Sequence, residues 1–255
     1  IDQPQPEDPA LVAAFQHTKT PTWLAYASNA TNGDKITWEQ QRFLDGFLGS
    51  LKPGNVKPAS IRLEAERDNV LRRWPEERAD LPPVLSLALT GETDGQKFLD
   101  RSIAYRLPAD QDRGIFASIP IQTLADDALF ASPEATALFR HQIAGRHVLI
   151  GGHIQDIDLF STPVMRATKA NKQMWGIDAF AQMLSQQLDG RRYWPIPDWM
   201  LWLAAAAIVA AAILTALGSL RPVQLLTLLA GQLALIVALP FFLHAHMVDT
   251  FGLPV

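Results

Sequence analysis

Residues 145–164 read GRHVLIGGHIQDIDLFSTPV. His147–Ile150 make an apolar run of strand length, and such a run bounded by turn residues predicts a buried β-strand. The strand ends at Gly151-Gly152 and opens into a loop carrying His153, Asp156 and Asp158. A strand, a double glycine and a polar loop can cradle a phosphate, hold a metal or simply close a fold. Each use makes its own demands. A dinucleotide fingerprint needs G-x-G-x-x-G at the turn from strand to helix, and a phosphate-binding loop needs a further glycine followed by lysine. Here the two glycines are followed by His153 and Ile154, so neither pattern is met. His153, Asp156 and Asp158 are three N/O donors, but nothing in their spacing puts them on one face. A solvated loop accounts for them, and no metal and no cofactor is expected.

The elements around this stretch alternate between helix and strand. Asp8-Pro9 ahead of Leu11, Ala14 and Phe15 predicts a helix with proline in its first turn. Pro21–Ser28 (PTWLAYAS) reads as a strand, and Thr37–Leu51 as a helix with Phe43, Leu44, Phe47 and Leu51 on one face. ASIRLEA (59–65), SIAYRL (102–107) and IFASIP (115–120) read as further strands between Pro- and Asp-rich turns. Ser132-Pro133 opens a helix reaching about Gln142. Ile177–Leu188 follows as another, with Ile177, Phe180, Ala181, Leu184 and Leu188 as its apolar stripe. The fold class is therefore α/β, with helices covering a mixed sheet.

Charge is spread unevenly. The 255 residues carry a net charge of −4, which argues against a nucleic-acid surface. There is no cysteine, so disulfide frameworks and thiolate metal sites are excluded. Trp199–Leu220 and Val223–Leu243 contain no charge at all and are joined by Arg221-Pro222. The first run, as a helix, is roughly 33 Å long, enough to cross a bilayer core. Tyr193, Trp194, Trp199 and Trp202 gather where amphipathic rings favour the headgroup region. The expected organisation is a polar domain over 1–198, a transmembrane hairpin over 199–243 (199–220 and 223–243), and a loop over 244–255. Arg191 and Arg192 against Arg221 would put the polar domain inside, but flanking charge governs a long domain weakly. Other chemical signals are slight. No G-x-S-x-G elbow is present, His244 and His246 read as interfacial, and the Asn29 sequon is a common pattern.

The order of elements is more telling. FRHQIAGRHVLIGG, then DLFSTPV, then GIDAFAQMLSQQLDGR, then WPIPDW and a membrane helix together resemble the type-2 CHASE domain, a sensory module of bacterial transmembrane receptors. Asp158, Phe160, Thr162 and Pro163 match its loop pattern D-x-F-x-T-P. Gly176, Ile177, Asp178, Ala181 and Leu184 match its helix pattern G-[VI]-[ED]-x-x-A. Phe180 departs from it, standing where many members have histidine. ERDNVLRRWP resembles the family segment D-x-(D)-[GN]-V-[VL]-R-R, and PVLSLAL the helix after it. The family begins with a membrane helix and a first strand, so the chain reads as an internal fragment with a third membrane helix expected after FGLPV.

The resemblance implies an extracytoplasmic, non-catalytic input domain over 1–198, in the bacterial plasma membrane, with Arg221 at a cytoplasmic turn. An adenylate or guanylate cyclase or a histidine kinase outside this chain would be the output. Partners are then the lipid bilayer, a small-molecule or protein ligand, and a second copy of the chain. A structural or docking subunit of an envelope complex is the other reading. Asp158, Thr162, His153 and Asp156 are the ligand-binding or loop-structuring residues. Trp175, Phe180 and Trp194 are the side chains placed to couple the domain to the membrane.

Overall fold

The computed structural model describes residues 3–30, 36–51, 54–91, 97–99, 101–107, 115–125, 131–152, 158–167, 173–218, 221–246 and 248–249. The chain forms two compact units, Ile1–Gly190 and Arg191–Val255.

In the first unit, helix α1 (Asp8–His17) has proline in its first turn and buries no residue. Helix α2 (Trp38–Ser50) starts from a capping box, in which Thr37 accepts from the Gln40 amide while the Gln40 side chain accepts from the Thr37 amide. It buries Leu44 and Phe47 from the expected face. Strand β1 (Thr22–Tyr26) runs parallel to β2 (Val56–Ser60), in register from Thr22–Val56 to Tyr26–Ser60. A parallel pair needs a crossover, and α2 lies within the connecting segment. Helix α3 (Leu85–Thr90) follows a bridge between Ser60 and Val84. Helices α4 (Ile121–Leu124) and α5 (Pro133–Ile143) come next, α5 capped by the Ser132 hydroxyl on the Ala135 amide. Strand β3 (Leu159–Phe160) pairs antiparallel with β4 (Met174–Trp175), across a 3₁₀ turn at Pro163–Ala167. Helix α6 (Gly176–Leu188) closes the unit.

The core joins Leu71, Trp74, Val84, Phe98, Ile103, Ala179, Phe180 and Met183. The Trp74 and Phe98 rings lie 5.4 Å apart. Helix α3 is fastened to α6 by the Ser86 hydroxyl, which donates to the Phe180 carbonyl at 3.1 Å. Tyr105 donates its hydroxyl to the Leu71 carbonyl at 2.8 Å, and burial pushes its phenol far above the ordinary range, so it stays a donor.

Several expected strands are not strands here. His147–Ile150 has no ladder partner among the described residues and is not a strand. Val148 and Ile150 are 47% and 78% exposed, and only Leu149 packs on the core. A run apolar on both faces reads like a central strand, whereas this one buries a single side. ASIRLEA leaves its ladder at Ser60, SIAYRL keeps one bridge, Arg73 to Ser102, and IFASIP forms none among the described residues. In place of one mixed sheet the described residues form three two-stranded sheets. The fold is mixed helix and small sheets.

In the second unit, β5 (Trp194–Pro195) pairs in parallel with β6 (Val248–Asp249). Helices α7 (Asp198–Leu217) and α8 (Pro222–Ala245) carry the apolar runs. Pro222–Leu243 is long and apolar enough to cross a membrane, and the apolar stretch of α7, Trp202–Leu217, is shorter. The Thr215 hydroxyl donates to the Ala211 carbonyl and accepts from the Gln232 amide at 3.3 Å, tying α7 to α8.

Candidate functional site

The loop after residue 157 is built onto two other segments. Its first anchor is Glu66–Val70, a tight turn in which the Asn69 amide donates to Glu66 and the Glu66 amide to Val70. Asn69 has φ of +61°, a left-handed conformation that asparagine tolerates and β-branched residues resist. That requirement suits the glycine or asparagine at this place in the D-x-(D)-[GN]-V-[VL]-R-R pattern that Glu66–Arg73 resembles. Arg72 reaches back across the turn to Glu66 at 2.7 Å and takes both Asp68 oxygens at 2.8 and 2.6 Å. The Arg72 hydrogen bonds hold the Asp68 carboxyl below the usual carboxylate range. Val70 then bridges to Ser161, and the Leu71 amide donates to the Ser161 carbonyl at 2.8 Å.

The second anchor is the N-terminus of α6. The Gly176 amide donates to the Asp158 carbonyl at 2.9 Å, and the Asp158 carboxylate lies against the Gly176 α-carbon. A Cβ at Gly176 would overlap Asp158 Oδ1 and sit 2.9 Å from Cγ. A carboxylate at this end of a helix also meets the positive end of its dipole. Thr162 is buried at the start of the 3₁₀ turn. Gly151 makes a comparable close approach, since a Cβ there would stand 2.6 Å from the Ile177 Cδ1. Gly151 thus lets the chain pass close to Ile177 of α6.

Among the other sequence-derived residues, Phe180 is in the core, Trp175 is the partly buried N-cap residue of α6, and Trp194 is largely exposed. His153 and Asp156 lie outside the described residues. Asp158 is thus joined to the N-terminus of α6 at Gly176.

The most consequential residues escaped the sequence reading. Helix α6 buries Gln182, Gln186 and Gln187 together with Ala179, Phe180, Met183 and Leu184, whereas Leu188, assigned to the apolar stripe, is exposed. Gln186 Oε1 accepts from the Trp74 indole at 2.9 Å and the Ala104 amide at 3.0 Å, and its Nε2 donates to the Ser102 carbonyl at 3.2 Å. Gln182 exchanges two hydrogen bonds with the Arg106 backbone, at 2.8 and 3.2 Å. Gln187 donates to Thr90 on α3. The glutamine amides hydrogen-bond the 102–106 backbone as a neighbouring strand would, and so make up for its missing ladder. Residues 182 and 186, four apart beside Ala179 and Met183, were the available signal.

These features define an α/β domain that is locked by buried polar side chains and continues in sequence into apolar helices. The profile of the CHASE2 domain matches residues 1–217, and the chain belongs to that family. CHASE2 domains are extracellular sensory domains of signalling receptors and are themselves non-catalytic. The match runs past residue 198 into α7. No curated protein and no solved structure matches the chain.

Proposed function

We propose that residues 1–198 are the extracytoplasmic input module of a receptor in the bacterial plasma membrane. Residues 199–220 and 223–243 cross the bilayer as a hairpin, and the output is a cytoplasmic cyclase or histidine kinase outside this chain. The observation that carries this reading is the family match itself, which extends from the sensory domain without a break into the apolar helix α7. Only Asp189–Pro197 separate α6 from α7 in the chain. A bias imposed on α6 has a short covalent route to the membrane. Trp175, Phe180 and Trp194 are the side chains through which it would pass. Coupling requires two states that a ligand binds unequally. Asp158 and Thr162 either hold the loop in one of those states or meet the ligand, a small molecule or a protein.

Paired outputs need paired inputs, so the receptor is proposed to be a homodimer. Ala204–Ala207 and Ala210–Ala212 permit close helix approach in the membrane. Single cysteines placed along Leu203–Leu214 should cross-link between chains with helical periodicity. Uniform absence of cross-links in the full-length protein would contradict the paired arrangement.

A further inference from the structure

A cleft of about 740 Å³ opens between the 76–83 segment, β2 and α3. This lies within the range of roughly 300–1,000 Å³ found for small-molecule sites. Its apolar wall includes Trp23, Leu81, Leu87 and Leu99. Among the described residues the only buried charge is Arg62, 6% exposed, and it lines this cleft. Burying a guanidinium is costly unless its five N–H groups find acceptors. Arg62 Nη2 donates to the Glu76 carbonyl at 2.7 Å, and Nη1 stands 3.3 Å from the half-exposed Glu64 carboxylate. These two contacts leave part of the fork for the cleft. The other basic groups there differ. Arg78 is held by two hydrogen bonds to Asp80, whereas Lys57 is exposed and makes no ion pair with a described residue.

The geometry points to this cleft as the binding site of a small organic carboxylate with an apolar body. The carboxylate meets Arg62 and Lys57, and the body lies on Trp23 and the leucines. A planar pair of oxygens suits the guanidinium fork. A phosphate dianion is disfavoured because Glu76 and Glu77 also line the cleft. The inference deepens the sensory reading by giving the input domain a ligand class and a place for it.

The test is calorimetric titration of the purified full-length protein with phenylacetate, its neutral isostere phenylacetamide, and inorganic phosphate. Phenylacetate should bind saturably, phenylacetamide at least tenfold more weakly, and phosphate not measurably. Lys57→Ala, on an exposed position, should weaken phenylacetate at least fivefold without lowering the melting temperature. Arg62→Lys, which retains the charge but not the fork, should weaken it further. Absence of phenylacetate binding, equal binding of the amide or of phosphate, or an unaltered Lys57→Ala variant would each overturn the assignment. Titration reads the cleft alone, while the sensory reading stands on cross-linking and membrane orientation, so the two can fail separately.

Discussion

Replacing Gln186 by alanine should lower the stability of the domain by about 3 kcal/mol, the cost expected when buried polar groups lose their partner. The substitution removes the hydrogen bonds that this one side chain makes to the Trp74 indole N–H, the Ala104 amide and the Ser102 carbonyl. It also opens a void beside Trp74, which is almost wholly enclosed. For a domain of this size that loss corresponds to a fall in melting temperature of about 10 °C. Chemical denaturation followed by tryptophan fluorescence measures it. Leu188→Ala is the control, because Leu188 lies on the same helix but is exposed, and should change stability by less than about 0.5 kcal/mol. Equal effects of the two substitutions would mean that α6 is not held by its glutamines.

Gly176→Ala should destabilise the domain by about 2 kcal/mol, the usual range for an overpacked site. The new methyl group has nowhere to go but into the Asp158 carboxylate. Asp158→Ala alone should cost roughly 0.5–2 kcal/mol, as the loss of a capping carboxylate does. The two effects should not add. With Asp158 shortened to alanine, Gly176→Ala meets little resistance and gains from the better helix propensity of alanine. The four proteins of this double-mutant cycle, compared by equilibrium unfolding, should give a coupling of at least about 1 kcal/mol. Strict additivity would show that the contact does not fasten the loop to the helix. Asp158→Asn keeps the shape of the side chain. If it leaves stability unchanged but abolishes output from the full-length protein, the Asp158 charge serves signalling beyond holding the loop.

Much of the local structure was legible because it follows from near neighbours. Ser132 with Pro133 announces a helix start through adjacent residues, and the helix begins there. The apolar run at Thr22–Tyr26 is a strand, as its pattern predicts. The tertiary assembly was less legible. The run at His147–Ile150 has the composition of a central strand, but composition does not say whether a ladder partner will be present. Asp158 and Gly176 both stand in the family pattern, yet nothing in their spacing reveals that one carboxylate rests on the other's bare α-carbon. The glutamines of α6 lie off the apolar stripe of Ile177, Phe180, Ala181, Leu184 and Leu188, on a face where polar residues read as surface. They are buried because the 102–106 backbone needs partners that no strand supplies. The Arg62 cleft draws on residues from 23 to 99, a separation that no local pattern spans.

The central claim is that the domain over 1–198 senses from outside the cell and that Arg221 marks a turn inside it. Fusion of a phosphatase reporter, active only after export, measures this directly. Fused after Gly190 the reporter should be active, and fused at Arg221 it should be inactive. An inactive fusion at Gly190 with an active one at Arg221 would place the domain in the cytoplasm and contradict the account.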